Sequence, residues 1–176
     1  MTQFPPASLV VMGVAGSGKS TLAAAVADRM GLAWLEGDRF HSESNRLKMA
    51  QGLPLTDEDR SSWLARLCDE LRQRPGGVLL ACSALKRAYR DQLREASPGL
   101  RFAFLDIAKP VASLRVSTRS DHFFAASLMD SQFETLESPV DEPGVLQLDA
   151  LKPLDMLEAE VCRWLRQPLP QPAPRR

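Results

Sequence analysis

The sequence carries no excess charge of either sign, because 22 Lys and Arg residues balance 22 Asp and Glu residues. It also has no cluster of Lys and Arg residues of the kind that forms a nucleic-acid-binding surface. We therefore expect no nucleic-acid partner. A negatively charged small molecule would have to be held by a few local cations.

Long hydrophobic runs and cysteines are scarce as well. The most continuous apolar stretch, residues 78–85 (VLLACSAL), is far shorter than the roughly 20 residues that a membrane-spanning helix needs. The N-terminal residues lack the basic and hydrophobic regions of a secretion signal. Three widely spaced cysteines, an odd number, argue against a disulfide framework. These absences predict a cytoplasmic protein with reduced thiols and no membrane partner.

Apolar strand-like runs alternate with helical patterns along the 176 residues. The predicted strands cover 9–12, 33–36, 78–82, 100–105 and 145–148, and the clearest predicted helices cover 20–30, 57–74, 85–96 and 154–166. This alternation predicts a single α/β domain over residues 1–166, a parallel sheet with helices on both faces and a ligand at the carboxyl ends of the strands. The Pro-rich residues 167–176 are expected to form a disordered tail.

The segment GVAGSGKST directly follows the first predicted strand. Its spacing, Gly-x-x-x-x-Gly-Lys-Ser, is that of a phosphate-binding loop (P-loop), in which backbone N–H groups surround the phosphates of a nucleotide. Lys19 is predicted to contact the outer phosphates and Ser20 to bind Mg²⁺. The predicted nucleotide-binding residues of this loop are Gly13, Val14, Ala15, Gly16, Ser17, Gly18, Lys19, Ser20 and Thr21. The loop predicts ATP and Mg²⁺ as cofactors.

Three uses of a bound triphosphate are a switch, a motor and the transfer of a phosphoryl group to a small molecule. A GTPase switch needs an Asn-Lys-x-Asp element, but Arg46 follows Asn45, which is the one asparagine in the chain. A motor usually needs a longer chain and a separate acidic Mg²⁺ motif. Phe102–Asp106 (FAFLD) could be such a motif or simply a strand that ends at a turn. The length of the chain favours small-molecule phosphoryl transfer.

The segment 36–64 begins at the carboxyl end of the second predicted strand, where the ligand crevice is expected. Phosphoryl transfer needs a carboxylate that orients the attacking hydroxyl, and Asp38 is the natural candidate. His41, Arg46 and Lys48 follow within ten residues. Together these four side chains suggest a pocket for a hydroxylated, negatively charged acceptor.

Four segments resemble successive blocks of the gluconokinase family: MGVAGSGKST, GDRFHSESNRLKMAQGLPLTDEDRSSWL, CSALKRAYRDQLR and HFFAASLMDSQFETLESP. They span most of residues 12–139. The resemblance implies phosphorylation of the 6-hydroxyl of D-gluconate by ATP. It also implies an α/β fold of the P-loop, nucleoside-monophosphate-kinase type with a five-stranded parallel sheet, a mobile lid at about 115–137, and a homodimer.

The resemblance also implies roles for individual residues. It supports Asp38 as the catalytic carboxylate, and it makes His41, Lys48 and Arg60 acceptor-pocket residues. Lys86 and Arg90, four positions apart on one predicted helix, are expected to contact the carboxylate of gluconate or the transferred phosphate. The lid residues are Arg115, Arg119 and His122: both arginines are expected to contact the nucleotide, Arg119 also to act in catalysis, and His122 to contact substrate.

The chain departs from the family pattern at two places. Ser42 stands where the family usually has proline, which is expected to loosen the turn after His41. Ser120 and Asp121 stand where Lys-Gly is common, which removes one cation and adds one anion. Two alternatives stay open: a kinase of another small acid or polyol such as shikimate, and a nucleotide-binding module with weakened catalysis, for which the altered lid is the only hint.

Overall fold

Five parallel strands form one sheet in the spatial order β2-β3-β1-β4-β5. The computed structural model describes residues 8–118 and 126–168. The strands are β1 (Leu9–Met12), β2 (Trp34–Glu36), β3 (Leu79–Ala81), β4 (Arg101–Asp106) and β5 (Val145–Asp149). All five predicted strands and the parallel sheet are confirmed. The order of the strands is a further result, because local sequence patterns do not encode it.

Seven helices surround the sheet in the described part of the chain. They are α1 (Lys19–Met30), α2 (Glu43–Ala50), α3 (Asp57–Arg72), α4 (Arg87–Ala96), α5 (Lys109–Ser117), α6 (Ala126–Thr135) and α7 (Leu154–Leu165). The sequence patterns predicted α1, α3, α4 and α7. They missed α2, α5 and α6, which are at most ten residues long. None of the helices in the described residues is long and apolar enough to span a membrane.

The core lies on both faces of the sheet because successive side chains of a buried strand point to opposite sides. Leu9 and Val11 of β1 pack against the helices α1 and α7, whereas Val10 and Met12 pack against α3 and α4. All four side chains are fully buried. The fold therefore holds β1, and with it the loop that follows, between two hydrophobic layers.

The three thiols are distributed over these layers. Cys162 of α7 belongs to the layer on the α1 side, and Cys68 of α3 belongs to the layer on the α4 side. Cys82 directly follows β3 and is also buried. All three cysteines are free.

Helix α3 begins as the sequence predicted, with Thr56 as its N-cap in a capping box with Asp59. Its five predicted inward residues are buried: Trp63, Leu64, Leu67, Cys68 and Leu71. For α4 the prediction was partly wrong. Ala88, expected to face inward, is exposed, whereas Tyr89 is buried as predicted and Arg90 beside it is buried as well.

The turn after His41 is closed by a helix cap. The Ser42 hydroxyl accepts a hydrogen bond from the backbone N–H of Asn45 at 3.2 Å, which caps α2. The expectation that Ser42 loosens this turn relative to proline stays a prediction. The short side chain satisfies a backbone donor that begins the helix.

Candidate active site

The P-loop, residues 13–20, connects β1 to α1 at the carboxyl edge of the sheet. Gly16 and Gly18 have φ angles of 78° and 98°, which side-chain-bearing residues rarely adopt. A Cβ at Gly16 would lie 2.7 Å from the carbonyl oxygen of Ala112. The Lys19 Nζ donates a hydrogen bond to the Val14 carbonyl at 2.9 Å. The open loop and its ammonium group thus have the geometry that phosphate binding requires.

Ser20 and Glu36 form the candidate Mg²⁺ position beside the loop. The Ser20 hydroxyl donates a hydrogen bond to the Glu36 carboxylate at the end of β2. Hydroxyl and carboxylate oxygens are the ligands that Mg²⁺ prefers, and this ion usually takes its remaining ligands from phosphates and water. No group of three or more His, Cys, Asp or Glu side chains in the described residues is placed so that it could hold a metal ion by itself. The donor set therefore fits a Mg²⁺ ion that arrives with a nucleotide.

Arg115 lies against the P-loop. Its guanidinium donates to the Gly16 carbonyl at 3.4 Å and to the Ala150 carbonyl at 3.0 Å. Together with Thr21 and Lys152 it lines a cleft beside the loop. The predicted lid residues Arg119 and His122 lie outside the described residues, as do Ser120 and Asp121.

A second cleft lies at the same edge of the sheet and is called the acceptor cleft below. Three of the predicted acceptor residues, Asp38, His41 and Arg60, line it together with Trp63, Ser83, Tyr89 and Gln132, among others. Asp38 lies in a 3₁₀ turn, Gly37–Phe40, that directly follows β2. Gly37 permits this turn, because a Cβ there would lie 2.6 Å from the Ala81 carbonyl of the neighbouring strand.

His41 is held rigidly in the wall of the acceptor cleft. Its ring stacks on Trp63 with a centroid distance of 4.7 Å and an interplanar angle of 9°. The Trp63 indole N–H in turn donates to the Gly37 carbonyl at 2.8 Å. Burial lowers the pKa of His41, and although the nearby Asp38 carboxylate opposes this effect, the net direction is down. The imidazole is therefore neutral at pH 7 and can donate or accept a hydrogen bond.

Arg60 supplies positive charge to the same cleft. Its guanidinium donates to the Leu55 carbonyl at 2.6 Å and lies 6.0 Å from the centre of the Tyr89 ring. These contacts fix the planar group while leaving further N–H donors for an anion. A guanidinium held this way suits a carboxylate or phosphate in the cleft.

The structure does not bring the other predicted cations to the lining of this cleft. Lys48 forms an ion pair with Asp59, with N–O distances of 2.7 and 2.9 Å, and that contact lowers the pKa of Asp59 to about 2. Lys86 pairs with Asp57 at 2.7 and 2.8 Å. Arg46 is exposed on α2. Their predicted contacts with an acceptor find no support in this arrangement.

The expectation that Arg90 contacts substrate is wrong. Its side chain is fully buried, and its guanidinium bonds the Glu142 carboxylate and the backbone carbonyls of Ala84, Leu85 and Glu137. The prediction used the four-residue spacing of Lys86 and Arg90, which places both side chains on one face of a helix. This spacing could not show that the Arg90 guanidinium forms an ion pair with Glu142, 52 residues further along the chain.

Two functional candidates were missed by sequence reasoning. Glu36 was assigned no role in the sequence analysis, although it lies at the end of the second predicted strand. The same position at a strand end was the reason for choosing Asp38. Gln132 lines the acceptor cleft and bonds the P-loop. The sequence offered one clue to Gln132: it is a polar residue one helical turn after the apolar pair Leu128 and Met129, in the fourth segment that resembles the gluconokinase family.

Comparisons with known proteins agree with this geometry. A family model described as an AAA domain matches residues 9–140. The APS kinase of Mycobacterium tuberculosis, solved with AMPPNP and APS, is 20% identical and covers 93% of this chain and 99% of its own, with a TM-score of 0.69. That likeness shows the fold alone. The predicted α/β fold of the P-loop, nucleoside-monophosphate-kinase type is confirmed.

More similar proteins cover nearly the whole chain. The gluconokinase of Gluconobacter oxydans is 43% identical over 161 residues, which are 90% of this chain and 90% of that protein. The crystal structure of a gluconokinase from Sinorhizobium meliloti is 44% identical, covers 92% of this chain and 93% of its own, and has a TM-score of 0.84. The protein described here belongs to the gluconokinase family of nucleotide-binding P-loop kinases.

Proposed function

We propose that the protein transfers the terminal phosphoryl group of ATP to the 6-hydroxyl of D-gluconate, giving ADP and 6-phospho-D-gluconate. The observation that carries this proposal is the junction of the P-loop with the acceptor cleft. Gln132 both lines that cleft and accepts a hydrogen bond from a backbone N–H of the loop. The terminal phosphate of a nucleotide on the loop would therefore lie next to the hydroxyl of an acceptor bound beside Asp38.

In the proposed reaction, the 6-hydroxyl oxygen forms a bond to the terminal phosphorus while the bond from that phosphorus to ADP breaks. Asp38 accepts a hydrogen bond from the attacking hydroxyl, orients it and takes up its proton. Lys19 stabilises negative charge on the outer phosphates, and Arg60 pairs with the carboxylate of gluconate. Ser20, beside Glu36, would hold the Mg²⁺ that accompanies ATP, which supplies charge neutralisation at the phosphates.

Further roles rest on the family resemblance. Residues 115–137 are proposed to form a lid that closes over the bound nucleotide, with Arg115 and Arg119 near the phosphates and His122 near the acceptor. Arg115 already contacts the Gly16 carbonyl of the P-loop, which supports its assignment. Lys48 and Lys86 are already paired with Asp59 and Asp57, and Arg46 is exposed on α2, so we give these three cations no part in the reaction proposed here.

The working state of the protein is also a proposal. We infer a homodimer from the family resemblance, and size-exclusion chromatography with light scattering would test it. A cytoplasmic location is favoured by the three free, buried cysteines, since disulfides are rare in that compartment. The zero net charge favours neither a nucleic-acid nor an anionic membrane partner.

The decisive experiment measures ADP formation with a panel of acceptors: gluconate, glucose, shikimate and nucleoside monophosphates. We expect turnover with gluconate and at least a hundredfold lower kcat/KM with glucose, because glucose lacks the carboxylate and would leave Arg60 unpaired. Faster turnover of shikimate would assign the protein to another acid. No turnover of any acceptor, with intact nucleotide binding, would favour a module with weakened catalysis.

A further inference from the structure

Gln132 connects two parts of the molecule that are far apart in sequence. It lies in α6, and its side-chain carbonyl accepts a hydrogen bond at 2.7 Å from the backbone N–H of Ala15, 117 residues earlier in the P-loop. Ala15 is the third residue of that loop, four positions ahead of Lys19, which is predicted to contact phosphate. The bond therefore joins the helix that follows residues 119–125 to the loop that holds the nucleotide.

This hydrogen bond also fixes which end of the Gln132 amide faces the cleft. The backbone N–H can only donate, so the amide oxygen must face Ala15 and the NH₂ group must lie on the other side. Within residues 8–118 and 126–168, no side chain or carbonyl accepts a hydrogen bond from that NH₂ group. Gln132 nevertheless lines the acceptor cleft together with Asp38 and Arg60.

The position of Gln132 on its helix argues against a purely solvated role. Leu128 and Met129, one turn earlier, are buried, and Leu136, one turn later, packs against the core. Gln132 thus continues the inward face of α6, where an apolar side chain would otherwise be expected. Gln132 is itself half-buried there, and its amide keeps one bonded end and an NH₂ group that finds no acceptor within residues 8–118 and 126–168.

We propose, on the basis of the function proposed above, that Gln132 is a catalytic residue whose NH₂ group donates a hydrogen bond to the phosphoryl group in transit between the P-loop and the acceptor cleft. Its carbonyl anchors the side chain on the Ala15 N–H, so the donor is preorganised before substrate arrives. A donor held in this way stabilises the charge of the transition state more than that of the ground state.

Two substitutions separate the donor from the anchor. Gln132→Glu keeps the shape and an oxygen that can still accept from Ala15, but it offers no donor and adds negative charge. Gln132→Met keeps the length and removes both the acceptor and the donor. Because the loss of one preorganised donor costs about 10²–10³ in kcat, we expect about a hundredfold loss for Gln132→Met and a larger loss for Gln132→Glu. We expect the KM for ATP and for gluconate to change less than about threefold.

Gln92→Glu is the matched control, because it makes the same change at an exposed residue of α4, outside the proposed lid, and should leave kcat unchanged. The amide proton of Ala15, observed by NMR, gives a readout besides activity. Its signal should stay near the parent position in Gln132→Glu and move upfield in Gln132→Met. A Gln132→Glu protein with the kcat of the parent would overturn the proposal, since the anchor alone would then suffice.

The slow hydrolysis of ATP in the absence of any acceptor separates this inference from the proposed substrate. If the parent does not phosphorylate gluconate, the substrate assignment fails. A hydrolysis rate that falls in both Gln132 variants, with ADP affinity retained, would still support the donor. A hydrolysis rate that is unchanged in Gln132→Glu would overturn the donor, whatever the acceptor is.

Discussion

Asp38 is the one carboxylate among the described residues that line the acceptor cleft. Asp38→Asn keeps the size of the side chain and removes the charge that would orient the attacking hydroxyl. We expect kcat for gluconate to fall at least a hundredfold, within the range of general acid–base contributions. Gluconate and a non-hydrolysable ATP analogue should still bind, which isothermal titration calorimetry would measure. An Asp38→Asn enzyme as fast as the parent would remove Asp38 from the mechanism.

His41 predicts a pH dependence of stability at the residue scale. Burial lowers the pKa of His41 below its ordinary value, so between the two values the unfolded chain binds more protons than the folded one. Stability should therefore fall as the pH drops below about 6.5. It should not depend on His41 above that range.

The variant His41→Phe tests this dependence because it retains a ring that can stack on Trp63 and cannot titrate. We expect Tm, measured by differential scanning calorimetry, to fall less between pH 7.5 and pH 5.5 for the variant than for the parent. The pH range stays above the titration of the carboxylates. Equal losses in both proteins would show that His41 does not set the acid sensitivity.

The residues predicted best were those whose neighbours in sequence define their surroundings. The P-loop is a contiguous motif, and Asp38 follows a strand within two residues, so both could be placed from local patterns. Lys48, Lys86 and Arg90 could not, because Asp59, Asp57 and Glu142 engage their charges over separations of 11, 29 and 52 residues. A sequence pattern shows where a basic side chain is but not which distant carboxylate will form an ion pair with it.

At the scale of elements, α4 is tied to the segment after α6 by a buried ionic cluster. Glu142 accepts hydrogen bonds from both Arg90 and Arg94 of α4, and the Arg90 and Glu142 side chains are 0% and 5% exposed. Burial alone would raise the pKa of Glu142, but the two arginines outweigh it and hold that pKa below its ordinary value. The same Arg90 bonds the carbonyls of Ala84 and Leu85, which line the acceptor cleft.

We expect Glu142→Gln to lower the free energy of unfolding by about 3–5 kcal/mol, because it leaves the Arg90 charge buried without its counter-ion. Urea denaturation would measure the change. Asp69→Asn is the control, since its ion pair with Arg72 is surface-exposed, with side-chain exposures of 58% for Arg72 and 62% for Asp69, and its loss should have no measurable effect. Equal stability of Glu142→Gln and the parent would show that the cluster contributes little.

The elements themselves were predictable to the extent that they were long and periodic. The helix α3 shows 16 residues of clear apolar periodicity and a capping box, and both its start and its inward face were predicted. Helices α2 and α5 have eight and nine residues, too few for an unambiguous pattern. Their places depend on tertiary contacts, such as the close approach of α5 to Gly16 of the P-loop.

For the whole molecule, nucleotide binding should appear as a gain in thermal stability. A ligand at a hundred times its Kd stabilises the folded state by about 2.7 kcal/mol. For a domain of this size that gain corresponds to a rise of roughly 5–10 °C in Tm. We expect such a rise with Mg²⁺ and ADP in differential scanning fluorimetry. Lys19→Ala should have a parent-like Tm without nucleotide and a much smaller rise with it. An equal rise would place the nucleotide away from the P-loop.

The three buried thiols can be used to measure local unfolding of the unmutated protein. Burial raises the pKa of all three cysteines, that of Cys82 to about 12, so the reactive thiolate is almost absent in the closed protein. An alkylating reagent would therefore modify each thiol at a rate set by the local opening that exposes it. Labelling of Cys68 and Cys162 would report the opening of the two opposite helical layers, and labelling of Cys82 would report the opening of the carboxyl end of β3. Peptide mapping after graded labelling could thus rank the opening of three regions in the unmutated protein.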